Sequence, residues 1–253
     1  MELPMTLTTV SIDQQVKINP IRKRRTVDAF TRIWHFLTAF TFTVAYLTAE
    51  SEAFRLMHIT LGYTLGGLFL LRVFWGVWGP RPARWSSLWG KLRGVGAWVE
   101  GMSTFKVNLP LAQNLYMSLT VVAVLAAIAP LVLSGYVTYQ EWTGDWMEEV
   151  HEFFGNFMLV AVLLHIAGVV VLSLLRRRNL AKPMLTGRVE GTGPDLIKSN
   201  YWLLASLLLV VVASFWVWQW TTSPQAQEQG VPAWFYFAPG KAQSNKSDQG
   251  NGD

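Results

Sequence analysis

Residues 149–178 read EVHEFFGNFMLVAVLLHIAGVVVLSLLRRR, and the class of fold turns on this stretch. It has the length and apolar content of a membrane-spanning helix. It carries two histidines, His151 and His165, 14 residues apart. At about 3.6 residues per turn this is just under four turns, so both imidazoles leave the helix on nearly the same side. At about 1.5 Å per residue they are separated by about 21 Å along the axis. One therefore lies near each face of a hydrocarbon core about 30 Å thick. Such a helix can hold one centre in each leaflet, provided other helices supply a second histidine at each level.

Composition agrees with a membrane protein. Hydrophobic residues make up 51% and charged residues 15% of 253, and several of the 13 Trp lie near the ends of apolar runs. An amphipathic indole suits the lipid interface there. The absence of cysteine excludes disulfides, thiolate zinc sites, iron–sulfur clusters and thioether-linked haem.

The expected fold is all-α: a four-helix transmembrane bundle over residues 28–190, with helices at about 28–49, 53–78, 113–139 and 150–175. A fifth transmembrane helix at about 201–220 follows a polar connection, within a segment 191–220. Residues 1–27 read as an amino-terminal arm ahead of an uncleaved first span. Residues 79–113 are too polar to span, and the spacing of Trp85, Leu88 and Leu92 suggests a short amphipathic helix on the membrane surface. Pro130 is a candidate kink in the third helix. The tail 221–253 is rich in Gln, Ser, Gly and Asn and is expected to be disordered; its apolar patch Trp234-Phe235-Tyr236-Phe237 suits an interface or a partner.

Basic residues set the orientation. The segments before helix one, between helices two and three, and between helices four and five carry five, five and six of the 21 Lys+Arg. By the positive-inside rule these segments are cytoplasmic in a bacterial inner membrane, and the carboxyl terminus is periplasmic. The net charge of +5 is thus a topology signal, and no nucleic-acid partner is implied. The acidic segment 140–149, with Glu141, Asp145, Glu148 and Glu149, falls outside, as a solvated loop or a dock for a basic protein.

This topology sorts the four histidines by depth. His35 on helix one and His165 lie in the inner half; His58 on helix two and His151 lie in the outer half. Two imidazoles at each level can fill both axial positions of a haem iron. Two bis-histidine haems follow, one held by His58 and His151 and the other by His35 and His165. A saturated iron favours electron transfer over chemistry at the metal. Gly62, Gly155 and Gly168 lie three or four residues after a histidine, where a small residue admits a flat macrocycle. The competing readings are polar residues joining helices by hydrogen bonds and a zinc site. The two levels are too far apart for one four-ligand zinc site. Arg72, Arg32 and Arg55 are candidates for neutralising haem propionates, against snorkelling to the interface.

Several motifs together resemble the bacterial cytochrome b561 family, grouped with the b-type cytochrome subunits of nickel–iron hydrogenases. They are Arg32-Ile33-Trp34-His35, His58-x-x-x-Gly62-Tyr63, Arg72-Val73-Phe74-Trp75-Gly76, Gly79-Pro80-Arg81-Pro82-Ala83-Arg84 and His151-x13-His165. The resemblance spans roughly residues 28–190. It implies a four-helix core with two b haems, with His35, His58, His151 and His165 as axial ligands to iron. It also implies electron exchange between membrane quinone and a periplasmic redox partner, such as a c-type cytochrome or an enzyme subunit of a respiratory chain. The fifth helix and the tail depart from the minimal pattern.

Three functions are compatible with this reading: a dihaem electron carrier or subunit of a respiratory oxidoreductase; a stand-alone quinone-linked oxidoreductase acting on superoxide or ferric species at the outer haem; and a haem-free scaffold or transporter. The last would place charge near the midplane, where this chain is apolar. No stretch singles out a quinone site, and a dimer stays possible.

Overall fold

In the computed structural model, residues 23–94, 96, 109–191 and 193–223 are described. Five long helices carry the fold: α1 (Ala29–Leu47), α2 (Arg55–Trp78), α4 (Leu109–Tyr139), α5 (Trp146–Leu175) and α7 (Trp202–Thr222). Between them lie the short helices α3 (Trp85–Leu92) and α6 (Lys182–Thr186) and two strands, β1 (Lys23–Arg25) and β2 (Arg188–Glu190). The arm 1–22, the apolar patch 234–237 and the rest of the tail from 224 lie outside the described residues.

Among the described residues, four helices are long and apolar enough to cross a membrane: α2 with the turn before it, α4 from Gln113, α5 and α7. The 19-residue α1 is not among them, because Arg32, His35 and four threonines interrupt its apolar run. It is nonetheless central. Trp34, Thr38, Thr41 and Phe42 are buried, and the Trp34 indole donates to the Leu68 carbonyl on α2 at 2.7 Å. α1 starts sharply. Asp28 accepts from the Thr31 amide at 2.7 Å and from its hydroxyl at 2.8 Å, which satisfies a first-turn donor that no helical carbonyl can reach.

α1 and α2 form one antiparallel hairpin, α4 and α5 another, and α2 joins them by packing on α4. The α2–α4 approach is close: a Cβ at Gly66 would come to 2.9 Å from Val132. α7 lies against α1 and α2 on the side away from α5. Two indoles fasten it, Trp216 Nε1 donating to Thr64 Oγ1 at 2.8 Å and Trp75 meeting Tyr201 edge to face.

Two segments differ from the sequence expectation. The first turn of α5 takes in Trp146, Met147, Glu148 and Glu149, so half of the expected acidic loop is helical. Carboxylates are favoured at that end because the first unpaired amides and the helix dipole attract negative charge. The expected polar connection after α5 and part of the amino-terminal arm form a small sheet. β1 pairs antiparallel with β2, Lys23 opposite Glu190 and Arg25 opposite Arg188. This ladder gathers the chain before α1 and the chain before α7 at one end of the bundle, the basic end. The α2–α3 turn joins them there, where Arg72 Nη1 donates to the Ala83 carbonyl at 3.0 Å. α4 continues through Pro130.

Candidate functional site

α5 packs along α4 but makes few close approaches to α1 or α2 among the described residues. All four histidines are half-buried and lie on the three helices that border this space, α1, α2 and α5. His58 and His151 face each other, with ring centroids 6.0 Å apart and planes at 83°. His35, one turn along α1 from Arg32, and His165, in the second half of α5, lie nearer the basic end.

The two levels are built differently. The His58 Nδ1 lies 2.8 Å from the Ala45 carbonyl of α1, and the His151 Nδ1 lies 2.9 Å from the Leu131 carbonyl of α4. A carbonyl only accepts, so each bond requires a proton on Nδ1 and leaves Nε2 with a lone pair. The Ala45 carbonyl lies in the last turn of α1, where it also accepts from the amide and the hydroxyl of Thr48, at 3.3 and 3.1 Å. The Leu131 carbonyl lies inside α4 and is reached another way. A Cβ at Gly135 would come to 2.6 Å from His151 Cε1 and 2.8 Å from its Nδ1; glycine there opens the helix surface to the ring. Ser134 Oγ sits 3.4 Å from the same Nδ1. In the other pair, Nδ1 of both His35 and His165 is buried with no hydrogen-bond partner among the described residues.

These donors fit a haem iron. Two imidazoles on one six-coordinate metal, at about 2 Å per metal–nitrogen bond, stand roughly 6 Å apart between centroids. The His58–His151 pair has that spacing, with both Nε2 lone pairs presented by the tautomer. Gly62, one turn along α2 from His58, has nothing within 4 Å of the place its Cβ would take, which leaves room beside the histidine. The other two glycines behave differently from the expectation. Gly155 packs ordinarily on Leu131, 3.9 Å away. Gly168 is covered by the Tyr116 ring, whose hydroxyl donates to the Leu164 carbonyl at 2.7 Å; its small size serves the α4–α5 contact.

The arginines are all engaged. Arg72 lies between the Trp34 and Trp85 rings, at 5.7 and 5.1 Å, besides its bond to Ala83. Trp85 reaches this place because Gly76 leaves a notch for its indole, which donates to the Val73 carbonyl at 3.1 Å. Arg32 Nη1 donates to the Leu185 carbonyl at 2.8 Å, and its guanidinium lies 5.6 Å from the Trp202 ring, toward α6 and α7. Arg55 is 4.0 Å from Glu52 in an exposed pair.

Sequence reasoning missed the groups that orient the outer imidazoles. Two are backbone carbonyls with no sequence signature. Gly135, next to Ser134 in a helix otherwise rich in Leu and Val, was the readable sign. A link between α1 and α5, Tyr46 hydroxyl to Asn156 Oδ1 at 2.8 Å, was also missed.

A family model described as prokaryotic cytochrome b561 matches residues 26–187, well over half of the chain. The chain belongs to the prokaryotic cytochrome b561 family. It is a multi-pass membrane protein of the b-type cytochrome class, which binds b-type haem and works in electron transfer. No curated protein and no solved structure matches it.

Proposed function

We propose that the protein is a dihaem cytochrome that passes electrons across the bilayer between membrane quinone and a periplasmic redox partner. His58 and His151 hold the outer haem, and His35 and His165 the inner one. The observation that carries this reading is that His58 and His151 face each other across the space between α5 and the α1–α2 hairpin, with His35 and His165 on two of the same helices, α1 and α5, nearer the basic end. In this reading α1 is also a span, so five helices cross and the basic end faces the cytoplasm. When bound, the haems supply a one-electron couple at each level.

The chain's own residues do the rest. Ala45 and Leu131 hold the outer imidazoles in the Nδ1–H tautomer, which would leave each Nε2 lone pair ready for iron before any haem arrives. With both histidines of a level on its iron, no axial position would remain for dioxygen. Arg72 is the cation we assign to the inner propionates. It is fixed in place by the Trp34 and Trp85 indoles, whereas Arg32 is turned toward α6 and α7 and Arg55 is exposed beside Glu52.

The test is a dithionite-reduced minus oxidised absorption spectrum of the purified protein with haem quantified per chain. It is run beside His58→Ala and His165→Ala. The expected result is two b haems in the wild type and one in each variant. A single haem in the wild type, or loss of the same haem in both variants, overturns the pairing.

A further inference from the structure

A second site lies at the basic end, and no histidine lines it. A cavity of about 450 Å³ opens where the β1–β2 ladder, the first turn of α1, α6 and the start of α7 meet. Five cations line it: Lys23, Arg25, Arg32, Lys182 and Arg188; Glu190 is the one carboxylate on its wall.

The ladder explains the gathering. Alternate residues of a strand face the same side. With Lys23 opposite Glu190 and Arg25 opposite Arg188, all four side chains share the cavity face, and Arg24 and Val189 take the other. Directly opposed like charges destabilise a two-stranded ladder, and Arg25 and Arg188 are such a pair. Glu190 answers Lys182, at 2.9 Å, and among the described residues no other ion pair relieves the wall. Arg32 adds a second observation. Its Nη1 is held by the Leu185 carbonyl, but its Nε is buried without a hydrogen-bond partner. A buried charged donor left unpaired is costly.

We propose that this cavity binds a phosphate group. A phosphate offers several acceptor oxygens to guanidinium forks, and it would separate Arg25 from Arg188. The setting favours the phosphate of an anionic phospholipid. Trp202, on the cavity wall and 58% exposed, stands where the apolar run of α7 begins. An indole at the end of a span marks the headgroup level. Leu185 and Leu203 beside it are 62% and 82% exposed, which gives acyl chains an apolar path. Basic pockets between helices at the cytoplasmic face suit anionic headgroups.

The test titrates delipidated, haem-loaded protein in neutral detergent with phosphatidylglycerol, with phosphatidylcholine and with inorganic phosphate, reading bound mass by native mass spectrometry. The wild type is expected to prefer phosphatidylglycerol. Removing two cations in Lys23→Gln/Arg188→Gln is expected to weaken it roughly thirtyfold, about fivefold for each charge. Glu190→Gln, which removes the one carboxylate, is expected to tighten it; a folding defect cannot produce both results. Phosphatidylglycerol that millimolar inorganic phosphate fails to displace assigns the lipid source, and displacement assigns the soluble one. Equal binding of phosphatidylglycerol by all three proteins, or no preference over phosphatidylcholine, overturns the site. Haem content is expected to stay unchanged in both variants, so the outcome is independent of the dihaem reading.

Discussion

Gly135→Ala isolates the support of the outer histidine pair without touching a histidine. The new methyl would stand 2.6 Å from His151 Cε1 and 2.8 Å from Nδ1. Ordinary contact begins at 3.4 Å, so the ring must retreat by 0.8 Å (from 2.6 to 3.4). Its bond to the Leu131 carbonyl starts at 2.9 Å, and the same retreat takes it to about 3.7 Å, beyond useful hydrogen bonding. Losing that bond costs roughly 0.5–1.5 kcal/mol. The displacement also exceeds the tolerance of about 0.5 Å within which a site keeps its geometry.

The expected outcome is that haem per chain falls from two toward one and that the reduced-minus-oxidised spectrum matches that of His58→Ala. Gly155→Ala is the control. Its methyl meets only Leu131, at 3.9 Å, and it shares with the first variant the gain of about 1 kcal/mol that alanine brings to a helix interior. Haem is expected to remain at wild-type level in the control. Full haem with unaltered outer potential in Gly135→Ala would refute the reasoning, because the ring would then not need the space that glycine leaves.

Two further outcomes follow from contacts away from the histidines. Thr64→Val removes the acceptor of the Trp216 indole and is expected to loosen α7 at a cost of about 1 kcal/mol, read as a lower thermal midpoint with haem content unchanged. The hydrogen bond and charge of Lys182 hold the exposed Glu190 carboxyl below its ordinary range; a depressed carboxyl stabilises the fold above its unfolded pKa and loses that contribution as the pH falls through its folded value. The thermal midpoints of wild type and Glu190→Gln are therefore expected to differ at neutral pH and to converge in acid, and a difference that persists there would exclude the ion pair as its origin.

What the sequence made legible was periodic. The 14-residue spacing of His151 and His165 and the apolar runs around them are one-dimensional patterns that a helix converts directly into depth. The small sheet was not legible, because three-residue strands of charged residues, Lys23–Arg25 and Arg188–Glu190, show no alternation of hydropathy. Their pairing depends on α5 and α7 bringing distant segments to one end. The start of α5 was misjudged because its acidic residues resemble a solvated loop, although the same charges favour a helix amino terminus. The role of Gly168 was misassigned because spacing from a histidine cannot tell whether a ligand or a neighbouring tyrosine fills the space.

In the proposed dihaem arrangement the two histidine pairs would give their haems different surroundings. At the outer level the protein acts through hydrogen bonds. The carbonyls of Ala45 and Leu131 grip Nδ1–H and so enrich the ring nitrogen that faces the iron. A more electron-rich ligand favours ferric iron and lowers the potential. At the inner level the described residues supply no such grip, and the cation proposed for the inner propionates is Arg72, fixed between two indoles. Positive charge beside a haem favours the ferrous state and raises the potential. Both effects act in the same direction along the bundle. In the proposed dihaem arrangement they are expected to set the inner haem above the outer one in potential.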